Sequence, residues 1–430
     1  MRVGLVSVLA ALALAGCGGE GAGAGESAAT VVPSGTLGFV EVDVDLESDQ
    51  WSRVQDLLDR FPDRPQLMEL LNEQARESNL EYERDIAPAL GDTVAFVFNG
   101  SEEDDVVVLT QPDDDAKYEA LIANLEEESG EEVVTGEVDG WRAAAESQAS
   151  IDALGEGGAS LADDDAFEAA LAEAPEDRLA FGFVRGDFAE SFGGYANTVD
   201  VEWAAGAVEA RENGPAVDFT IRGESASTGE AYASERLEQA PADALAFLSF
   251  DGEALRSRKS MLGPLADVLG VRLEELLEGV NGEGALWVRL GGGMPEVTLV
   301  VGVDDADGAR EALEPLLQGL PLEVRMGVVD GRLVATTASS PEEAVRPSGE
   351  TLADSEDFRE AADAAEMPDE TSGFLYVNVA DALPLLGLAG LAGAELPEEV
   401  VENLRPIRSV VAWSESDGDT TGATLFVHIQ

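Results

Sequence analysis

The tightest constraint on this chain is internal repetition. GDTVAFVF begins at Gly91, and GEGALWVR begins 191 positions later at Gly282. At the same offset VVVLT at 106–110 meets VTLVV at 297–301, and Asp113-Asp114 meets Asp304-Asp305. Val138-Asp139-Gly140 falls on Val329-Asp330-Gly331, Leu161-Ala162-Asp163 on Leu352-Ala353-Asp354, and Phe167 on Phe358. A two-residue slip then aligns Pro175 with Pro368, Phe181 with Phe374 and Val184 with Val377. Nearer the front, Pro33, Leu37, Phe39 and Asp43 match Pro241, Leu245, Phe247 and Asp251 at an offset of 208. A register held over roughly seventy positions is the mark of a repeated structural unit. With 430 residues, more than one ordinary domain holds, the chain is expected to build one unit twice. The first lobe is 31–223, a linker spans 224–239, and the second lobe is 240–430.

Each copy mixes strands with helices. Residues 37–43 alternate as a strand, and helical spacing follows over 50–60, through Trp51, Val54, Leu57 and Leu58, and over 66–78. Strands at 93–98 and 106–110 flank Asn99-Gly100, and strands at 132–138 and 141–146 flank Asp139-Gly140. Helices are expected at 114–127 and 163–173, with a strand at 178–184 after Pro175. The copies close on hairpins, 201–211 with 216–222 across Asn213-Gly214, and 407–415 with 421–429 across Asp417-Gly418. Ser340-Pro341-Glu342-Glu343 reads as a cap, a proline in the first turn and a capping box. Strands joined by two-residue turns run antiparallel. The expected class is therefore α+β, in two tandem copies of one unit, each an antiparallel sheet with helices covering one face.

The N-terminus speaks about location. Met1-Arg2 precedes an apolar run from Val3 to Ala15, the form of a secretory signal. The run is too short for a span, which needs about 20 residues. Leu14-Ala15-Gly16-Cys17 resembles a bacterial lipobox, so 1–16 is expected to be removed and Cys17, the only cysteine, to carry diacylglycerol and palmitate-type chains. Two or three chains make such an anchor stable. Residues 17–30 would then be the lipidated cysteine and a Gly-rich tether reaching about 20 Å.

Charge narrows the partners. There are 25 Lys+Arg against 88 Asp+Glu, a formal net charge of −63. Such a surface repels nucleic acid and anionic headgroups, which leaves cations or a basic envelope partner. One His and one Cys exclude a disulfide framework and a Cys/His zinc site. A Ser-His-acid arrangement needs an approachable histidine, and His428 falls inside the closing strand at 424–429, where it reads as a strand residue. Paired carboxylates could serve glycoside hydrolysis, but 88 acids make any one pair uninformative and an aromatic share of 6% leaves few sugar platforms. The Asp-rich stretches at 43–49 and 305–308 read as helix caps rather than calcium loops. No catalytic residue, metal or cofactor is therefore assigned.

Two apolar stretches stand out in the second lobe. Residues 261–280 place Leu262, Leu265, Val268, Leu269, Leu273, Leu276, Leu277 and Val280 at helical spacing. In LPLLGLAGLAGAEL at 383–396, Leu383, Leu385, Leu386, Leu388 and Leu391 lie among glycines. They are either core or a surface for an apolar ligand or partner. The opening Pro33-Ser34-Gly35-Thr36-Leu37-Gly38-Phe39-Val40-Glu41-Val42-Asp43, the Leu90-Gly91-Asp92 strand entry and SLADDDAF at 160–167 resemble bacterial lipoproteins grouped as domain of unknown function 3352. That resemblance covers most of 31–430, rests on turns, caps and strand entries, and implies an exported, envelope-associated protein. The expected function is a non-enzymatic binding or scaffolding role on the extracytoplasmic face of the cell membrane. The alternative is a carrier or chaperone holding lipid or another apolar ligand between the lobes. A carboxylate-based hydrolase is the third reading.

Overall fold

The computed structural model describes residues 27–66, 80–100, 105–155, 158–186, 201–223, 229–257, 279–292, 294–317, 323–383 and 398–430. They fall into two units divided between Ser225 and Ala226. The first contains β1 (Gly38–Asp43), β2 (Thr93–Phe98), β3 (Val106–Thr110), β4 (Val134–Val138), β5 (Trp141–Ala145), β6 (Ala180–Arg185), β7 (Trp203–Arg211) and β8 (Gly214–Arg222). Their order is β4-β5-β3-β2-β1-β6-β7-β8, with antiparallel neighbours throughout. The longer helices are α1 (Asp49–Leu58), α2 (Asp115–Ser129), α3 (Gln148–Gly155) and α4 (Asp165–Ala172).

The antiparallel α+β architecture is as expected, but helices cover both faces of this first sheet rather than one. On one face Phe39, Val97, Trp141, Phe181, Phe183 and Trp203 pack with Ile151 and Leu154 of α3 and with Phe167 and Ala170 of α4. Phe167 meets Phe39, Phe181 and Phe183 edge-on, with centroids at 5.7, 5.8 and 5.4 Å. On the other face Val94, Phe96, Val108 and Ala144 pack with Tyr118, Leu121, Ile122 and Leu125 of α2. The reason lies in β2 and β3. Residues 94–97 and 106–109 are continuous apolar runs, buried at every position, as strands covered on both sides must be.

The second unit contains β9 (Ala246–Asp251), β10 (Val280–Gly291), β11 (Met294–Val303), β12 (Arg325–Val329), β13 (Arg332–Thr336), β14 (Gly373–Asn378), β15 (Ile407–Asp417) and β16 (Thr420–Ile429). Its order, β12-β13-β11-β10-β9-β14-β15-β16, is that of the first unit with every strand advanced by eight. Its helices are α5 (Gly252–Ser257), α6 (Ala306–Leu317), α7 (Pro341–Ala344), α8 (Glu356–Ala365) and α9 (Glu398–Leu404). Local devices recur as well. Ser160 with Asp163 and Thr351 with Asp354 form capping boxes. Arg185 N–H donates to Leu37 O at 2.9 Å, and Asn378 N–H donates to Leu245 O at 2.8 Å. Gly136 and Gly327 each lie beneath a helical residue, Ile151 and Pro341, 3.0 Å from where a Cβ would stand.

Turn chemistry explains where the hairpins close. Asp139-Gly140 and Asp330-Gly331 take positive φ at both residues (45° and 89°, 49° and 75°), which suits the right-handed twist of the flanking strands. The β7–β8 turn is Glu212-Asn213, because Arg211 stands opposite Gly214. A turn one residue later, at Asn213-Gly214, would need an N–H from Pro215 to close it, and proline has none. The β15–β16 turn is Gly418-Asp419, between Asp417 and Thr420. Gly418 supplies the positive φ of 62° that such a turn needs at its first central position. Strands β2 and β3 pair around a loop longer than Asn99-Gly100, with Asn99 N–H donating to Asp105 O at 3.1 Å. The expected helix over 66–78 lies almost wholly outside the described residues. Among the described residues no helix is long and apolar enough to cross a membrane.

Candidate functional site

Of the residues singled out from sequence, Leu383 is buried just beyond β14. Cys17, Leu385, Leu386, Leu388 and Leu391 lie outside the described residues. The Asp-rich loop after β1 is a capping device. Asp43 accepts from Asp45 N–H at 2.9 Å and from the Ser48 hydroxyl at 2.6 Å, and Ser48 caps α1 through Trp51 N–H at 3.3 Å. Asp305 likewise accepts from Gly308 N–H at 2.9 Å at the start of α6.

The second unit holds a feature that sequence reasoning did not assemble. Strands β14, β15 and β16 bring Asn378, Ser409 and His428 side by side, since Asn378 stands opposite Ser409 and Ser409 opposite His428. Directly paired residues project from the same face. Here that face lies under α8, where Phe358 packs at 5.9 Å from Phe374 and 5.2 Å from Tyr376. A cavity of about 60 Å³ opens between α8 and these strands. Its floor is Tyr376, Asn378, Ser409 and His428, all buried. Its rim is Asp357, Glu360, Asp381 and Arg408, all exposed.

Most of the floor is already engaged. The Asn378 amide donates to Asp381 Oδ2 at 3.1 Å and its Oδ1 accepts the Asp381 N–H at 3.0 Å. Burial pushes the Tyr376 phenol far above its usual range, and the carboxylates of Asp357 and Asp381 push the same way. Ser409 is different. It is 3% exposed, and its Oγ has no hydrogen-bond partner. A buried hydroxyl left unpaired costs about 1–3 kcal/mol.

The first unit shows what the same position does when it is only core. The register equivalents of Asn378, Ser409 and His428 are Arg185, Trp203 and Arg222, paired in the same order across β6, β7 and β8. Trp203 is 2% exposed within the main core cluster. Arg185 is tied to Asp164 at 2.9 Å and to the Ser34 and Thr36 carbonyls. A small hydroxyl thus stands in the second unit where a large indole stands in the first. A signal was present in the sequence: Asn378, Ser409 and His428 each occupy the inward phase of a strand whose neighbouring inward residues are Tyr376, Val411 and Phe426.

Two further features of this unit bear on function. Glu283 accepts from Ser234 Oγ at 2.5 Å, Ser249 Oγ at 3.1 Å and Glu235 N–H at 3.1 Å, and Tyr232 Oη lies 2.9 Å from Ser249 Oγ. This network pins the chain before β9, and burial there pushes the Tyr232 phenol up to about 12. On the sheet face opposite the cavity, Leu286, Leu248, Leu375, Ala412 and Leu425 form a row across five neighbouring strands. Leu248 and Leu425 are exposed.

No family model matches the chain, and no curated protein matches it. Among solved structures, crystal form IV of TP0453 aligns with a TM-score of 0.25 at 9% identity, covering 44% of this chain and 92% of that one. Crystal form I of TP0453 aligns with a TM-score of 0.17 at 9% identity, covering 75% and 98%. Likenesses this slight carry no argument about fold or function.

Proposed function

We propose that the protein is an exported lipoprotein of the cell envelope, tethered to the extracytoplasmic face of the membrane through Cys17, with a non-enzymatic binding role. The tether rests on the short apolar leader and the Leu14-Ala15-Gly16-Cys17 junction. The observation that carries the binding role is the unpaired Ser409 hydroxyl in the cavity of the second unit. A ligand that satisfies it recovers the desolvation cost the folded protein otherwise bears. The acidic body, at −63, favours basic over anionic partners.

A second reading, a carrier for a lipid acyl chain, draws support from the apolar row through Leu248 and Leu425. One experiment addresses both. The natural protein is extracted from membranes and measured by mass spectrometry, intact and with its co-purifying small molecules. The expected species begins at Cys17 and carries acyl chains, and Cys17→Ser releases the protein from the membrane fraction. A retained leader or an unmodified thiol would refute the tether. Stoichiometric lipid beyond the anchor would move the conclusion to the carrier.

A further inference from the structure

We infer that the cavity of the second unit binds a primary alkylammonium group, offered either by a free small amine or by a lysine side chain of a basic partner. The inference deepens the binding reading and rests on it only in taking the cavity as a site. Its anchor is Ser409, a buried hydroxyl with vacant acceptor capacity and no partner. An ammonium supplies three donors and needs no acceptor. The rim sets the sign of the ligand, with carboxylates from Asp357, Glu360 and Asp381 against the one guanidinium of Arg408. A metal ion suits the cavity less well: among the described residues no three His, Cys, Asp or Glu side chains converge to hold one. Size points the same way. A cavity of about 60 Å³ exceeds the roughly 10–15 Å³ that one water-sized group needs, so it admits a small group such as the end of a lysine side chain or methylammonium. In the first unit the register position of Ser409 is taken by Trp203, an indole buried in the core.

The chain's single histidine lines this cavity, so histidine-selective nitrogen-15 labelling of the full chain gives one imidazole reporter at the site. Methylammonium chloride is titrated at constant ionic strength, with sodium and tetramethylammonium chlorides as controls. Expected is a saturable shift of the His428 resonances with methylammonium alone, since tetramethylammonium has the charge but no N–H. A short lysine peptide and its Nζ-acetylated form make the second arm. Tighter binding of the unmodified peptide than of methylammonium identifies a protein partner, and equal or weaker binding identifies a free amine. Ser409→Ala should weaken binding about tenfold, the worth of one hydrogen bond to a charged group, and should unfold no earlier than the parent, because it removes an unpaired buried atom. Ser409→Trp should abolish binding. No saturable shift with methylammonium or the peptide, an equal response to sodium, or an unchanged affinity in Ser409→Ala would each overturn the inference. A lipidated, membrane-bound protein that gives no shift loses this site alone. A shift from protein whose Cys17 is unmodified keeps the site and removes the tether.

Discussion

Asp43 should make the first unit less stable as pH rises, against the usual behaviour of a hydrogen-bonded carboxylate. It ends β1 and accepts from Asp45 N–H and the Ser48 hydroxyl. Burial nonetheless pushes its carboxyl up to about 6 from 3.8, outweighing those two bonds, and Asp45 and Asp92 add repulsion. A pKa raised by folding means that the native state holds the proton more tightly than the unfolded chain does. The stabilising contribution is therefore complete below about pH 4 and is lost as pH rises through about 6. A rise of that size corresponds to at most about 3 kcal/mol. The carboxyl is partly exposed, and solvent screening lowers the expected effect to roughly 1–2 kcal/mol. Asp43→Asn keeps an acceptor for Asp45 N–H but carries no charge. It should match the parent near pH 4 and exceed it by roughly 1–2 kcal/mol at pH 7.5. Urea unfolding of both proteins across that range measures the difference, in which the carboxylates remote from Asp43 cancel. A difference that stays flat with pH, or a parent that gains on the variant as pH rises, would show that Ser48 and Asp45 stabilise the carboxylate at least as much as burial penalises it.

Other substitutions test the packing account. Gly91 and Gly282 open matching sequence segments 191 positions apart and both take positive φ (71° and 57°), but only at Gly91 would a Cβ run into the Gln111 carbonyl. Gly282→Ala should cost about 1 kcal/mol and Gly91→Ala several-fold more, as read by thermal unfolding. Phe167→Ala should cost about 4–5 kcal/mol and Phe358→Ala about 3–4 kcal/mol, because the first ring meets three aromatic neighbours and the second meets two. Chemical denaturation that ranks them in the opposite order would refute the ring-contact argument. Arg84 and Lys117 hold the Asp85 carboxyl well below its ordinary range. Its stabilisation is therefore present above about pH 4 and lost below. Lys117→Met should destabilise by under about 1 kcal/mol at pH 7, and the difference should vanish in acid.

How much was legible depended on how local each determinant is. Strand identity is written in alternation and caps within a few residues, so β1, β2, β3, β5 and β6 fall within two residues of where their sequence places them. The Asp139-Gly140 turn is equally local, since its two positive φ angles suit those two residue types. Two other turns moved by one residue for reasons that are also chemical, the missing N–H of Pro215 and the free φ of Gly418. The continuous apolar runs of β2 and β3 already said that both faces of that sheet are covered, and reading them as simple strands missed it.

The site was hidden for a different reason. Asn378, Ser409 and His428 lie on three strands, and no short-range pattern joins them. Alternation, capping and turn chemistry act over a few bonds, so the residue order alone dictated the strands and, to within a residue or a few, the places where the hairpins close. Folding in three dimensions was needed to stand Ser409 between Asn378 and His428 beneath α8. Strand register is a long-range choice made by the whole buried face at once, and that choice sets a hydroxyl and an open cavity where the other unit places an indole.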